Sequence, residues 1–481
     1  MRVLFCSSEI APLAKTGGLA DVAGALPKAL ARRGVEVRLA MPAYRGVRLP
    51  EAHPAGRVSV SLGGERVEGT IVEGRMPDSG LPVWLVEQPG FFDRAGLYGE
   101  GGADYPDNLA RFTFFCRAVQ QWVDRGGWVP EVVHCNDWQT ALLPVLLKTE
   151  GPGGVATVLT IHNLAYQGVF PADQFRLTGL PASVFTIRGL EFWGKVNLLK
   201  GGLYAADILS TVSETYAREI QTEEFGAGLD GVLRDRAGDL VGILNGVDYG
   251  VWDPSIDPFL PARYSADDLS GKAVCKRALQ EELGLPGDPD RPLIGMVTRL
   301  ADQKGLDLVA EIMEELLDAG IQFVLLGTGE PRYHRFFEEL QARRRRQVAA
   351  ALRFDERLAH LIEAGADIFL MPSRYEPSGL NQLYSLRYGT VPVVRRTGGL
   401  ADSIVDTTLQ TLLAGTANGF VFEPYDAGAL EQAVRRALAA FQDRPTWRRL
   451  QQHGMRADFS WDRSAARYLE LYARARRGPA G

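Results

Sequence analysis

An apolar strand pattern followed by an amphipathic helix pattern recurs along almost the whole chain. That alternation limits the fold more than any other feature. Residues 3–6 form a short apolar run, and a glycine-containing loop follows. A helical period then appears at Leu19, Val22, Ala23, Leu26 and Leu30, stopped by Gly34 before a second strand at 35–40. The unit returns as strand 131–134 before helix 138–147, then as strands 157–161, 207–212 and 241–244. Such alternation calls for an α/β fold, a parallel sheet with helices on both faces. Residues 57–88, rich in Val and Gly without a helical period, read as inserted β-hairpins.

Between 250 and 265 the texture changes: Asp253-Pro254, Asp257-Pro258 and Leu260-Pro261 break any helix. The domain boundary is expected there, giving a first domain over 1–248 and a second over 249–459. The rhythm restarts with helix 272–283, strand 293–298, helix 306–317 and strand 323–327. Strand 349–354, helix 356–364, strands 367–371 and 391–394 and helix 429–441 follow. A last amphipathic helix carries Trp461, Ala465, Tyr468, Leu469 and Tyr472 on one face. A length of 481 residues fits two large α/β domains as well as three smaller ones. The pattern selects two doubly wound, Rossmann-like domains facing across a cleft.

Composition excludes several classes. Hydrophobic residues make up 46% and charged residues 23%, against disorder or a fibre. A net charge of −6 supplies no basic field for nucleic acid. No apolar run approaches the roughly 18 residues of a membrane span. Four scattered cysteines without a C-x-x-C pair argue against a disulfide framework and a zinc cluster. A soluble, reduced, cytoplasmic protein is expected.

One hexapeptide occurs twice: Thr16-Gly17-Gly18-Leu19-Ala20-Asp21 and Thr397-Gly398-Gly399-Leu400-Ala401-Asp402. Each copy follows a strand and opens a helix, where glycines let backbone approach a ligand and orphan N–H groups point outward. Lys15 precedes the first copy, and lysine is scarce here, eight against 45 arginines. Neither copy ends in Gly-Lys-Ser/Thr, so no Walker A loop is present. The first loop also lacks G-x-G-x-x-G, which argues against nicotinamide chemistry.

Polar groups gather at further strand ends. Asp137 follows one strand and His162 with Asn163 another, where open α/β sheets bind ligands. Their spacing matches no usual metal-ligand set, and no metal is expected. His134 reads as a strand cap. Arg299 ends a strand and Lys304 opens the next helix, a pairing suited to clamping a diphosphate without a metal. Downstream, Glu376-Pro377-Ser378-Gly379-Leu380 sets a carboxylate before a glycine and a helix expected at about 380.

Taken with Asn245-Gly-Val-Asp248, Glu376-Pro-Ser-Gly-Leu-Asn-Gln-Leu-Tyr384 and Arg395-Arg-Thr-Gly-Gly-Leu400, these residues resemble bacterial glycogen synthase and plant starch synthase. The likeness runs from the first strand to the final helix, in order. It implies a GT-B fold whose last helix, 460–476, crosses back to complete the first domain. It implies transfer of glucose from ADP-glucose to the non-reducing end of an α-1,4-glucan such as glycogen, with retention and no cofactor. By the same resemblance Arg299 and Lys304 hold the distal diphosphate, with Lys15 and the Gly17-Gly18 backbone approaching it from the other domain. Glu376 would hold sugar hydroxyls, and the Gly379 and Leu380 amides beside Ser378 would meet phosphate. His162 and Asn163 would sit by the glucose, while Asp21, Asp137 and Asn245 complete the donor and acceptor side. Phe354 falls where the family stacks adenine on an aromatic; its other reading is an ordinary core Phe.

The sequence departs from related patterns at three positions. Tyr384 stands where many retaining relatives carry a second Glu, Ser378 replaces a common Cys, and Asn381 replaces a frequent Thr. A glycosidase-like double displacement needs two carboxylates about 5–5.5 Å apart. Glu376 has no evident partner, which favours front-face attack. The Lys15-Thr-Gly-Gly-Leu start argues against the nearest rival, a UDP-sugar enzyme with a small acceptor, and the intact set of site residues argues against a glucan-binding protein without turnover. A pyridoxal-phosphate phosphorylase needs a Schiff-base lysine, and Lys272 and Lys276 read as residues of a solvent-facing helix. The run Arg343–Arg346 reads as a solvated helix end. Oligomeric state is not legible.

Overall fold

The computed structural model describes residues 1–477 apart from 126 and 152. The chain divides into two units: Met1–Asn245 together with the C-terminal helix Trp461–Arg476, and Gly246–Ser460.

The first unit is built on Arg2–Cys6, apolar from Val3 onward and enclosed on both faces. This strand pairs in parallel with Glu36–Pro42 on one side and Val132–Asn136 on the other. Beyond Val132–Asn136 lie Ala156–Ile161, Ile208–Thr211 and Leu240–Gly242, all parallel. Beyond Glu36–Pro42, Pro82–Glu87 adds in parallel, and the antiparallel hairpin His53–Leu62 with Glu65–Arg75 finishes the sheet. The segment expected to hold hairpins therefore holds one, followed by a strand that rejoins the parallel sheet.

The last helix buries Trp461, Ala465, Tyr468, Leu471 and Tyr472, whereas Leu469 is only half-buried. Tyr472 Oη lies 2.7 Å from His134 Nδ1, and His134 Nε2 lies 2.6 Å from Thr160 Oγ1. His134 is thus an interior link between helix and sheet rather than a strand cap, and burial pushes its pKa down to about 3. Ser464 Oγ donates to the Leu244 carbonyl at 2.6 Å, so the helix also closes over the unit's last loop.

The second unit holds six parallel strands in the order Val348–Ala351, Gln322–Leu326, Leu293–Val297, Ile368–Met371, Val391–Arg395 and Phe420–Phe422. Counted along the chain this is 3-2-1-4-5-6, the dinucleotide-fold order, with its reversal between Leu293–Val297 and Ile368–Met371. Helix Leu306–Asp318 presents Val309, Ile312, Met313, Leu316 and Leu317 to this sheet. Each such buried side chain contributes about 1.5–3 kcal/mol.

Two lysines correct the sequence reading. Lys272 and Lys276 lie on Ser270–Glu282 but are buried rather than solvent-facing. Lys272 Nζ donates to the Ala364 carbonyl at 2.9 Å and to Thr390 Oγ1 at 2.6 Å; Lys276 Nζ meets Asp367 Oδ2 at 2.7 Å. An interior amine is tolerated when oxygens replace its water. Burial pushes the Lys272 amine down to about 8. Both amines are spent on protein oxygens, and neither is free to form a Schiff base. At the end of helix Pro331–Arg343, Arg343 and Arg344 pair with Glu314, and Arg344 also with Asp318.

All four cysteines are buried free thiols, and Cys6 and Cys135 are register partners on adjacent strands. Among the described residues no helix is long and apolar enough to cross a membrane.

Candidate active site

Each sheet places candidate residues beyond the carboxyl ends of its parallel strands, above all of the two where its order reverses, the position at which open α/β sheets bind ligands. In the first unit these strands are Arg2–Cys6 and Val132–Asn136. The loop after Arg2–Cys6 carries Lys15, Gly17 and Gly18 into helix Gly18–Arg32. Lys15 Nζ lies 2.7 Å from Asp21 Oδ1, in the first turn of that helix. Gly17 has extended backbone, and a Cβ built there would meet nothing within 4 Å.

Glu9, which the sequence reading passed over, shapes this loop. Its buried carboxylate accepts from the Thr16 amide at 2.5 Å, Thr16 Oγ1 at 2.6 Å and the Gly17 amide at 3.3 Å. Tyr98 Oη donates to it at 2.6 Å. A lone Glu between apolar runs gives no sequence signal; only the fold returns the loop to it.

Asp137 begins the turn Asp137–Thr140 with φ +56°, a left-handed conformation costly for a residue with a Cβ. Its Oδ1 accepts from the His162 amide at 2.7 Å, and the Asn163 amide adds a second bond. Burial still dominates and pushes the carboxyl up to about 7, with the nearby Glu9 charge adding to the rise. His162 Nε2 lies 2.9 Å from Asn136 Oδ1, while Asn136 Nδ2 donates to the Cys6 carbonyl at 2.9 Å. That arrangement puts the imidazole proton on Nε2 and leaves Nδ1 as an acceptor. Burial pushes the ring's pKa down to about 3, so His162 is neutral. Asn163 Oδ1 accepts from Ala165 N in the following turn. Asn245 is buried, and its Oδ1 has no partner among the described residues; a buried orphan oxygen of this kind calls for a ligand or water.

In the second unit Arg299 and Lys304 follow the first strand at the reversal and Glu376 follows the fourth. Lys304 Nζ stands 2.7 Å from Glu376 Oε2, which also accepts from Ser373 Oγ at 2.9 Å. Glu376 Oε1 takes no hydrogen bond from a described residue. Gly305 permits this approach: its φ is +70°, and a Cβ there would lie 2.1 Å from the Pro372 carbonyl oxygen. Arg299 is exposed, with its Nη2 3.4 Å from Gln303 Oε1. Gln303 in turn donates to the Tyr375 carbonyl at 3.2 Å. One strand–helix turn therefore carries both cations, Lys304 directly on Glu376 and Arg299 linked to the same loop only through Gln303.

Gly379 and Leu380 precede helix Asn381–Arg387, which starts one residue later than expected and has no side-chain cap. Ser378 is buried with an unpartnered Oγ among the described residues. Asn381 Nδ2 donates to the Val297 carbonyl at 2.6 Å and so ties this helix to the strand before Arg299. Tyr384 is stacked on Trp252, centroids 3.9 Å apart and rings 3° from parallel. The position of a second carboxylate is thus occupied by an aromatic stack.

The second Gly-Gly pair differs in use from the first. Cβ atoms built on Gly398 and Gly399 would lie 1.9 Å from the carbonyl oxygens of Glu376 and Ser378. These glycines admit the protein's own loop, whereas Gly17 stands open. Phe354 lies beyond strand Val348–Ala351, which ends earlier than expected, and is 79% exposed; it is no core residue.

Comparison with known proteins finds similarity along nearly all of the chain. The family described as starch synthase catalytic domain matches residues 2–235, and that described as glycosyl transferases group 1 matches 280–452. A glycogen synthase of Syntrophotalea carbinolica is 50% identical, covering 99% of this chain and 99% of its own. One from Anaeromyxobacter dehalogenans is 52% identical over 98% of this chain and 99% of its own. The catalytic domain of starch synthase IV from Arabidopsis thaliana, solved with ADP and acarbose bound, is 37% identical with a TM-score of 0.91, covering 99% of each chain. Sucrose-phosphate synthase from Thermosynechococcus elongatus, 17% identical with a TM-score of 0.61, covers 98% of each chain and shares the fold.

Proposed function

The chain belongs to the family of bacterial glycogen synthases and plant starch synthases, a GT-B glycosyltransferase, and on that premise we propose that it moves glucose from ADP-glucose to the non-reducing end of an α-1,4-glucan, with retention and release of ADP. The observation that carries this reading is the turn holding Arg299 and Lys304 beside Glu376 at the sheet reversal of the second unit.

Cleaving the sugar–phosphate bond builds negative charge on the departing ADP and positive charge on the glucose. Arg299 and Lys304 are fixed cations for the first, and fixed donors of this kind contribute about 10²–10³-fold to rate. Glu376 keeps Oε2 on Lys304 and Ser373, leaving Oε1 for a sugar hydroxyl. In the first unit, Lys15 beside the Gly17-Gly18 turn supplies a further cation for phosphate. The Gly379 and Leu380 amides meet phosphate beside Ser378. Phe354, exposed in its loop, stacks the adenine.

His162, neutral with Nδ1 as acceptor, orients a glucose hydroxyl rather than donating a proton. Asn163, Asp21, Asp137 and Asn245 complete the sugar side. With Tyr384 in an aromatic stack, Glu376 has no partner carboxylate at that position, which supports front-face attack with the leaving phosphate taking the acceptor's proton. The reduced, buried thiols suit a cytoplasmic setting. Turnover of ADP-glucose against UDP-glucose on one glycogen primer tests the reading. Faster transfer from UDP-glucose would replace the donor, and no transfer from either would remove the function.

A further inference from the structure

The most exposed large hydrophobic side chain among the described residues is Trp193, at 85%. It sits with Gly194 in the two-residue turn between the antiparallel strands Glu191–Phe192 and Lys195–Asn197. Both turn residues have positive φ, +51° and +74°. Turns of this twist strongly favour Asn-Gly or Asp-Gly, and a bulky ring at their first position is a backbone outlier. The chain therefore meets two costs, a strained backbone and a ring left in water, with no intramolecular packing to offset them. Strain of that kind points to use.

The mount is rigid. Gly194 N donates to Glu191 Oε1 at 2.8 Å, and Lys200 Nζ donates to the Ile187 and Gly189 carbonyls that lead into the hairpin. The mount is also tied to the loop that leaves His162. Asn197 Nδ2 donates to Gln167 Oε1 at 2.7 Å, and the Leu198 and Leu199 amides donate to the Gly168 and Gln167 carbonyls, each at 3.1 Å. Of the five exposed large hydrophobics among the described residues of the first unit, four (Tyr166, Val169, Ile187 and Trp193) belong to this loop and its hairpin. Charged residues share the hairpin with these side chains: Glu191 and Lys195 lie on its strands, and Arg188, paired with Asp235, on the segment that leads into it.

We propose that Trp193 is a stacking platform for a glucose ring of an α-glucan chain, a polymer-holding site separate from the transferred sugar. A pyranose offers an apolar C–H face to a ring and hydroxyls to the hairpin's charged groups; a subunit interface would instead want a contiguous apolar core. The inference rests on the glucan reading above for its choice of polymer.

The test uses the full-length protein with Trp193→Asn, which suits the turn and so keeps the hairpin folded, and Trp193→Phe, which keeps a ring. Migration through native gels containing glycogen needs no donor and so reads binding even if transfer fails. Wild type should be retarded, Trp193→Phe partly so, and Trp193→Asn should lose about 2- to 10-fold in apparent glycogen affinity. The KM for ADP-glucose should be unchanged. Equal retardation of wild type and Trp193→Asn would overturn the proposal while leaving the transferase reading intact. So would sedimentation showing that the Asn variant only splits a dimer without altering glycogen binding.

Discussion

Lys304 Nζ and Glu376 Oε2 stand 2.7 Å apart, and this cation is one of two that a single strand–helix turn sets at the reversal of the second sheet. Lys304→Ala and Arg299→Ala should each lower kcat by at least about 10²-fold. Their stabilities should differ. Removing Lys304 leaves a buried carboxylate without its cation and should lower Tm, whereas exposed Arg299 can be removed with Tm unchanged. Near-normal turnover in either variant would remove the diphosphate clamp from the account.

The same two cations are fixed by the fold and should neutralise the leaving diphosphate without a divalent ion. Activity should therefore persist after dialysis against EDTA and assay in its presence. Loss on chelation, with rescue by Mg²⁺ or Mn²⁺, would show that the clamp is insufficient.

Equivalent glycines in the repeated hexapeptide should respond in opposite ways. Gly398→Ala drives a methyl into the Glu376 carbonyl at a backbone angle of φ +44°, and should cost about 1–3 kcal/mol, several degrees in Tm. Gly17→Ala meets no protein atom and should melt like wild type while turning over slowly. Equal melting losses would place Gly17 in the packing instead of the site.

Asp137 gives a pH signature. Its folded value is raised to about 7, against about 3.9 in the unfolded chain. Between those values the folded chain holds a proton that the unfolded chain has released, so this group's contribution to stability falls as pH rises from about 4 to about 7. His162, lowered to about 3, acts in the opposite sense: its contribution is present above about 6.5 and lost as pH falls. Urea denaturation from pH 5 to 8 should show wild type losing stability relative to Asp137→Asn as pH rises. Parallel curves would mean that Asp137 is ionised throughout.

Most of the scaffold was legible because enclosed strands leave continuous apolar runs and helices leave a 3.6-residue period. Phe420–Phe422 escaped notice because three residues between polar neighbours have no period to read. Lys272 and Lys276 misled because a buried amine and a solvated one share a letter; their carbonyl and Asp367 partners lie far away in sequence. At the candidate site, the residues proposed to carry the chemistry were visible as strand-end motifs, but their supports were not. Glu9, Asn136 and Ser373 act through contacts that only the folded loops create. The raised carboxyl of Asp137 likewise follows from enclosure, which no motif records.

The cysteines have a practical consequence. Enclosure pushes the thiols of Cys6 and Cys135 well above their ordinary range and that of Cys116 to about 12, with Cys275 also raised. Thiolate is the reactive form, so the folded native chain should be nearly silent toward maleimides and iodoacetamides. One cysteine introduced at Arg188 or Phe354, both exposed, would then be the sole fast-reacting handle. A fluorophore attached there would report on its own half of the molecule without first stripping out the native sulfurs.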